Sequence, residues 1–86
     1  MTYSIYTMFG HYSRGKFIVG GFKNINNAKD RCVELMRHTS SNADVKLEIV
    51  NAKTKRPVGW MYNHHKGEKG YYFEDTDGIF KLYKRW

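Results

Sequence analysis

The sequence predicts an α+β domain, a single amphipathic helix packed on a mostly antiparallel sheet in the order β-β-α-β-β-β-β. Three stretches carry that expectation. "DVKLEIVN" alternates, with Val45, Leu47 and Ile49 to one face and Lys46 and Glu48 to the other, which is the period of a half-buried strand. "KNINNAKDRCVELMRHTSS" changes to a helical period, and Ile25, Ala28, Cys32, Leu35 and Met36 form one apolar stripe. "TDG" separates two aromatic-rich runs, and Asp77-Gly78 favours a tight hairpin turn. One helix among several short strands is most economically arranged as a helix on one face of an antiparallel sheet.

Taken in order, "TYSIYTMF" reads as a strand with Tyr3, Ile5, Thr7 and Phe9 on one face and Ser4, Tyr6 and Met8 on the other. "GHYSRG" reads as a turn and "KFIVGGF" as the second strand, its paired glycines marking a bulge or the strand's exit. Asn24 can cap the helix through its side-chain oxygen. "HTSSNAD" has the polar character of a helix exit and loop. After "DVKLEIVN" comes a basic turn, "AKTKR". The strand "PVGWMY" follows, with Pro57 at its start, where the missing N–H costs least. "NHHKGEKG" reads as a loop, and "YYFED" and "IFKLYKRW" flank the last turn. The whole chain, 1–86, reads as one domain. The final hairpin, from about residue 71, either extends the sheet or projects from it.

"GHYSRGKF" spells G-x-x-x-x-G-K, one residue short of a phosphate-binding loop. That loop needs a Ser or Thr after the lysine to hold Mg²⁺, and it needs a following helix whose N-terminus attracts phosphate. Here Phe17 follows Lys16 and a strand follows Phe17, so the stretch reads as a hairpin connection.

Fifteen Lys and Arg against eight Asp and Glu leave a net charge of +7, which favours polyanionic partners or acidic surfaces. No segment approaches the ~18 apolar residues of a membrane span. The start "MTYSIYTMFG" lacks the basic and apolar regions of a signal peptide. Cys32 is the only cysteine, so no internal disulfide forms, and a cytoplasmic setting is expected.

Chemistry-bearing clusters are few. His64 and His65 are adjacent and would point to opposite faces of a strand, so a metal site with His11 requires distant loops to converge. Cys32 and His38 lie six apart on one helix, almost opposite in rotation, and cannot pair as nucleophile and base. Glu74, Asp75 and Asp77 lack the ligand ladder of a calcium loop and read as a solvated turn. Neither a metal nor a cofactor is expected, and no enzyme motif is present.

The basic residues fall in three groups: Lys53, Lys55, Arg56, Lys66 and Lys69 in two successive loops, Lys81, Lys84 and Arg85 at the end, and Arg14, Lys16 and Lys23 at the first hairpin. The two loops of the first group border opposite ends of one strand. The leading expectation is a small, basic, non-catalytic binding protein acting on nucleic acid or a nucleoprotein complex. Lys53, Lys55, Arg56, Lys66, Lys69, Lys81, Lys84 and Arg85 would contact phosphates, and Trp60, Tyr62 and Trp86 would stack on bases. Equally, such lysines can form a merely solvated surface. The rival expectation is a protein-binding inhibitor or regulator that meets the acidic surface of a larger enzyme through an open sheet face or a strand edge. Tyr6, Met8, Trp60, Tyr62, Tyr72 and Tyr83 would supply that face, unless the terminal hairpin folds over it. In size and layout alone the chain resembles many small accessory proteins, those of bacteriophages among them.

Overall fold

Alternating side chains dominate the order of elements in the computed structural model, which describes residues 1–10, 13–38 and 44–86. The strands are β1 (Tyr3–Phe9), β2 (Ser13–Phe22), β3 (Lys46–Asn51), β4 (Pro57–His65), β5 (Glu68–Asp75) and β6 (Phe80–Lys84), with α1 (Ile25–Arg37) between β2 and β3. They form one six-stranded antiparallel sheet in the spatial order β2-β1-β3-β4-β5-β6, with α1 on one face. This is the α+β arrangement expected from the sequence. The first hairpin and the strand after Lys16 exclude a phosphate-binding loop there, since β2 pairs with β1 and no helix follows the lysine. Residues 11–12, which include His11 and fall in the expected turn, and residues 39–43, which fall in the expected loop, lie outside the described residues.

Helix α1 begins where expected. Asn24 is extended, and its side-chain oxygen accepts the Asn26 N–H at 2.7 Å. Such a cap stabilises a helix by about 1 kcal/mol. Ala28, Cys32, Val33 and Met36 are its buried residues. Val33 therefore joins the stripe, while Ile25 and Leu35 flank it half-buried. The core lies between α1 and the centre of the sheet: Ile5, Leu47, Ile49, Met61 and Tyr71 face the helix stripe. Ile5, Ile49 and Met61 are fully buried.

One correction concerns the chain after Tyr62. "NHHKGEKG" is not a loop. Asn63–His65 continue β4, Glu68–Gly70 belong to β5, and only Lys66 and Gly67 turn the chain. Both turn residues have positive φ, 52° and 79°. That is the geometry of the two-residue turn whose twist matches the flanking strands. Polar side chains hid the strand, because pairing with β5 satisfies their backbone without requiring apolar alternation. Likewise β2 starts at Ser13, before the glycine assigned to the turn.

The last hairpin extends the sheet. Its turn at Thr76–Gly78 is closed by the Gly78 N–H on the Asp75 carbonyl at 3.0 Å, with Gly78 at φ 81°. The Asp75 carboxylate accepts the N–H groups of Asp77 and Ile79. Gly59 has a separate role: a Cβ there would lie 2.2 Å from the Phe73 ring, which packs directly over its backbone.

Burial pushes the Cys32 thiol up from 9.0 to about 12. The native protein thus keeps a proton that the unfolded chain releases above about pH 9, so this group's contribution to stability is complete below that pH and is lost as pH rises towards 12. We expect a thiol-specific reagent at about pH 8 to leave native protein unlabelled and to react stoichiometrically once urea unfolds it. Rapid labelling without denaturant would contradict the buried position.

Candidate functional site

Among the described residues no element covers the sheet face opposite α1. Antiparallel partners share a face, so the register defines its surface. One row crosses all six strands: Phe17, Tyr6, Glu48, Trp60, Glu74 and Phe80. A second carries Lys46, Tyr62, Tyr72 and Leu82, with Met8 and Arg14 paired at its β1–β2 end. His65 joins them, its ring stacked on Phe80 at 4.0 Å and close to Tyr72.

Both carboxylates of the first row are held by neighbours. Glu48 is 4% exposed although it faces away from the helix. Its Oε1 accepts the Arg14 Nε–H, and its Oε2 accepts the Trp60 indole N–H at 3.0 Å. The same guanidinium lies over the Tyr6 ring, 5.1 Å from its centroid, and donates to the Lys55 carbonyl at 2.8 Å. The β3–β4 turn is thereby held near the open face, where Ser4 and Val50 are also buried, apart from the helix-side core. Glu74 accepts the Tyr62 hydroxyl at 2.6 Å. The ammonium of Lys46 sits over the rings of Trp60 and Tyr62, at 5.7 and 5.2 Å. The result is an aromatic surface whose acidic groups accept hydrogen bonds from within it and whose cations lie against rings.

The residues expected to form a binding site divide between two faces and several ends. Trp60 and Tyr62 do lie together on the open face. Lys53, Lys55 and Arg56 occupy the β3–β4 turn and Lys66 the β4–β5 turn, at opposite ends of β4, roughly 30 Å of chain apart. Lys69 and Trp86 belong to the helix side, with the Lys69 ammonium 5.2 Å from the Trp86 ring and that ring stacked on Tyr71. The Trp86 N–H donates to the Asn63 carbonyl at 3.1 Å. Lys81 pairs with Phe73, and Lys84 and Arg85 are exposed at the outer strand and chain end. Tyr83, expected on the open face, instead turns to the helix. Its hydroxyl donates to the Asp30 carboxylate, and burial first, then that contact, pushes it from 10.0 to about 12. Lys29 lies over Phe73 and Tyr83, and burial, followed by the nearby charge of Lys81, lowers its pKa.

The binding site expected from the sequence did not include Arg14, Phe17, Lys46, Glu48, His65 or Phe80. The alternation of "DVKLEIVN" already put Lys46 and Glu48 on the side away from the core. The other four required the register.

Among the described residues no three His, Cys, Asp or Glu side chains come together as a metal site, and no helix is long and apolar enough to cross a membrane. Comparison with protein-family models, curated proteins and solved structures finds no match for this chain.

Removing Arg14 leaves the Glu48 carboxylate buried with the Trp60 indole as its partner. Because Arg14 is itself partly exposed, Arg14→Ala is expected to destabilise by about 1–3 kcal/mol. Glu48→Gln, which keeps the shape and an acceptor, should cost less. Urea unfolding followed by Trp fluorescence measures both, and equal, negligible effects would show that the pair holds nothing.

Proposed function

We propose that this protein is a non-catalytic binding module that holds single-stranded nucleic acid, alone or within a nucleoprotein complex, across the open face of its sheet. The observation that carries this reading is the aromatic row on a face that no other element covers among the described residues, with cationic turns at both ends of β4. Phe17, Tyr6, Trp60, Tyr62, Tyr72 and Phe80 offer ring surface to unpaired bases. Stacking of this kind contributes about 1–3 kcal/mol per base and tolerates any sequence. Arg14, Lys46, Lys55 and Lys66 stand beside or beyond those rings, where a backbone crossing the strands brings its phosphates. The net charge of +7 adds long-range attraction for a polyanion. The single free, buried thiol fits action in the cytoplasm.

A second reading rests on the β6 edge, where Leu82 is 45% exposed and Ile79, just before the strand, 53%. An outer strand that also carries Lys81 and Lys84 suits addition of a strand from a protein partner with an acidic surface, as an inhibitor or regulator of a larger enzyme would use it.

Salt dependence separates the two. Fluorescence polarisation with a labelled single-stranded oligonucleotide should give a plot of log affinity against log salt with a slope of roughly −2 to −3.5, as expected for three to five phosphate contacts at about −0.7 each. Phe17→Ala removes a ring that is 58% exposed. It should weaken binding by a factor of about 5–100 while changing stability by less than about 1 kcal/mol. A protein partner retained after nuclease treatment and at high salt, with no oligonucleotide bound, supports the edge-strand reading instead.

A further inference from the structure

At the β4–β5 turn end, the open face deepens into a cleft of about 500 Å³. Tyr62, His65 and Phe80 supply its rings, Met8 an apolar wall, and Lys46 and Lys66 its cations. A volume in this range accommodates a small molecule rather than a single water or ion. Its chemistry is also composite. The His65 and Phe80 rings are nearly parallel, 15° apart, and Tyr62 lies 5.1 Å from Phe80, so planar aromatic surface is concentrated here. A ligand matched to rings with ammonium groups close beside them, Lys46 lying 5.2 Å from the Tyr62 ring, carries a flat π-system and an anionic group within one small frame. The carboxylate of Asp44, also at this cleft, lies 3.5 Å from His64.

From this pairing of aromatic wall and cationic rim, we infer that the cleft is a nucleotide pocket, taking one nucleobase against Tyr62, His65 and Phe80 with its phosphate directed to Lys46 and Lys66. The inference deepens the proposed nucleic-acid reading by giving the sheet face one anchoring position at this end. The same chemistry is offered by a nucleotide within a strand and by a free nucleoside monophosphate.

Lys66 provides a clean test because of its backbone. At φ 52° before Gly67 it occupies the first position of the two-residue turn, where asparagine is favoured. Lys66→Asn removes the ammonium and retains the turn, so lost binding cannot be assigned to lost folding. Adenosine 5′-monophosphate, adenosine and inorganic phosphate would each be titrated into the full chain and followed by ¹H–¹⁵N NMR. The monophosphate should bind more tightly than either fragment, with shifts centred on Tyr62, His65 and Phe80. Lys66→Asn should weaken it roughly tenfold and leave adenosine unchanged. Binding no tighter than that of inorganic phosphate, or unchanged by Lys66→Asn, overturns the pocket. A parallel titration with a single-stranded oligonucleotide separates the two readings. Oligonucleotide binding without monophosphate binding removes the pocket and leaves the sheet-face reading intact. Monophosphate binding without oligonucleotide binding keeps the pocket, as a site for the free nucleotide, and removes the sheet-face reading.

Discussion

One helix cannot cover six strands, and the rest of this structure follows from that mismatch. A helix of thirteen residues is about 20 Å long and about 10 Å across, whereas six strands span roughly 24 Å between the outermost axes. Helix α1 packs on β1 to β4 and leaves the β5–β6 side to side chains. Phe73 and Tyr83 extend the covered area, with the Lys29 stem laid over both rings and the Tyr83 hydroxyl tied to Asp30. Trp86 closes the far corner against Tyr71. Large rings take the place of a second helix, which explains why so small a domain carries so many aromatics. Phe17, Tyr6, Trp60, Tyr62, Tyr72 and Phe80 lie on the other face, where no second layer meets them among the described residues.

That second face is ordered by a buried carboxylate. Glu48 lies in the middle of the sheet on the side away from the core, and its desolvation would be costly without partners. Arg14 provides one from β2, across the intervening β1, and Trp60 provides another from the neighbouring β4. The pairing joins strands that are not neighbours and reaches the β3–β4 turn through the Lys55 carbonyl. A buried ion pair of this kind adds little net stability compared with apolar packing, but its loss on one side leaves an uncompensated charge. Its effect here is to hold the aromatic row in one arrangement and to pair the negative charge in the middle of that face. Pre-organisation of this sort lowers the ordering cost of binding.

The segments easiest to read were those where one physical signal acts alone. The period of α1, its Asn24 cap and the alternation of β3 were all visible because burial on one side imposes apolar spacing. Segments under two competing demands were harder. Asn63–His65 are polar yet form a strand, because hydrogen bonding to β5 needs no apolar side chain. Val33 was missed in a stripe drawn through Ala28, Cys32 and Met36. The candidate site was legible in part: Trp60 and Tyr62 were recognised as a pair, but Trp86 was grouped with them although it stacks on the helix side. Lysine positions along the chain showed where charge resides, without showing which face it serves.

By itself the sequence determined the class of fold, the order of elements, the excess of positive charge and the exclusion of a phosphate-binding loop, because each depends on neighbours within a few residues. The tertiary structure alone decided which rings share a face, that Glu48 is buried against Arg14, and that a cleft forms beside Tyr62, His65 and Phe80. Those outcomes depend on register between strands far apart in the chain, where a shift of one residue turns every side chain to the opposite side.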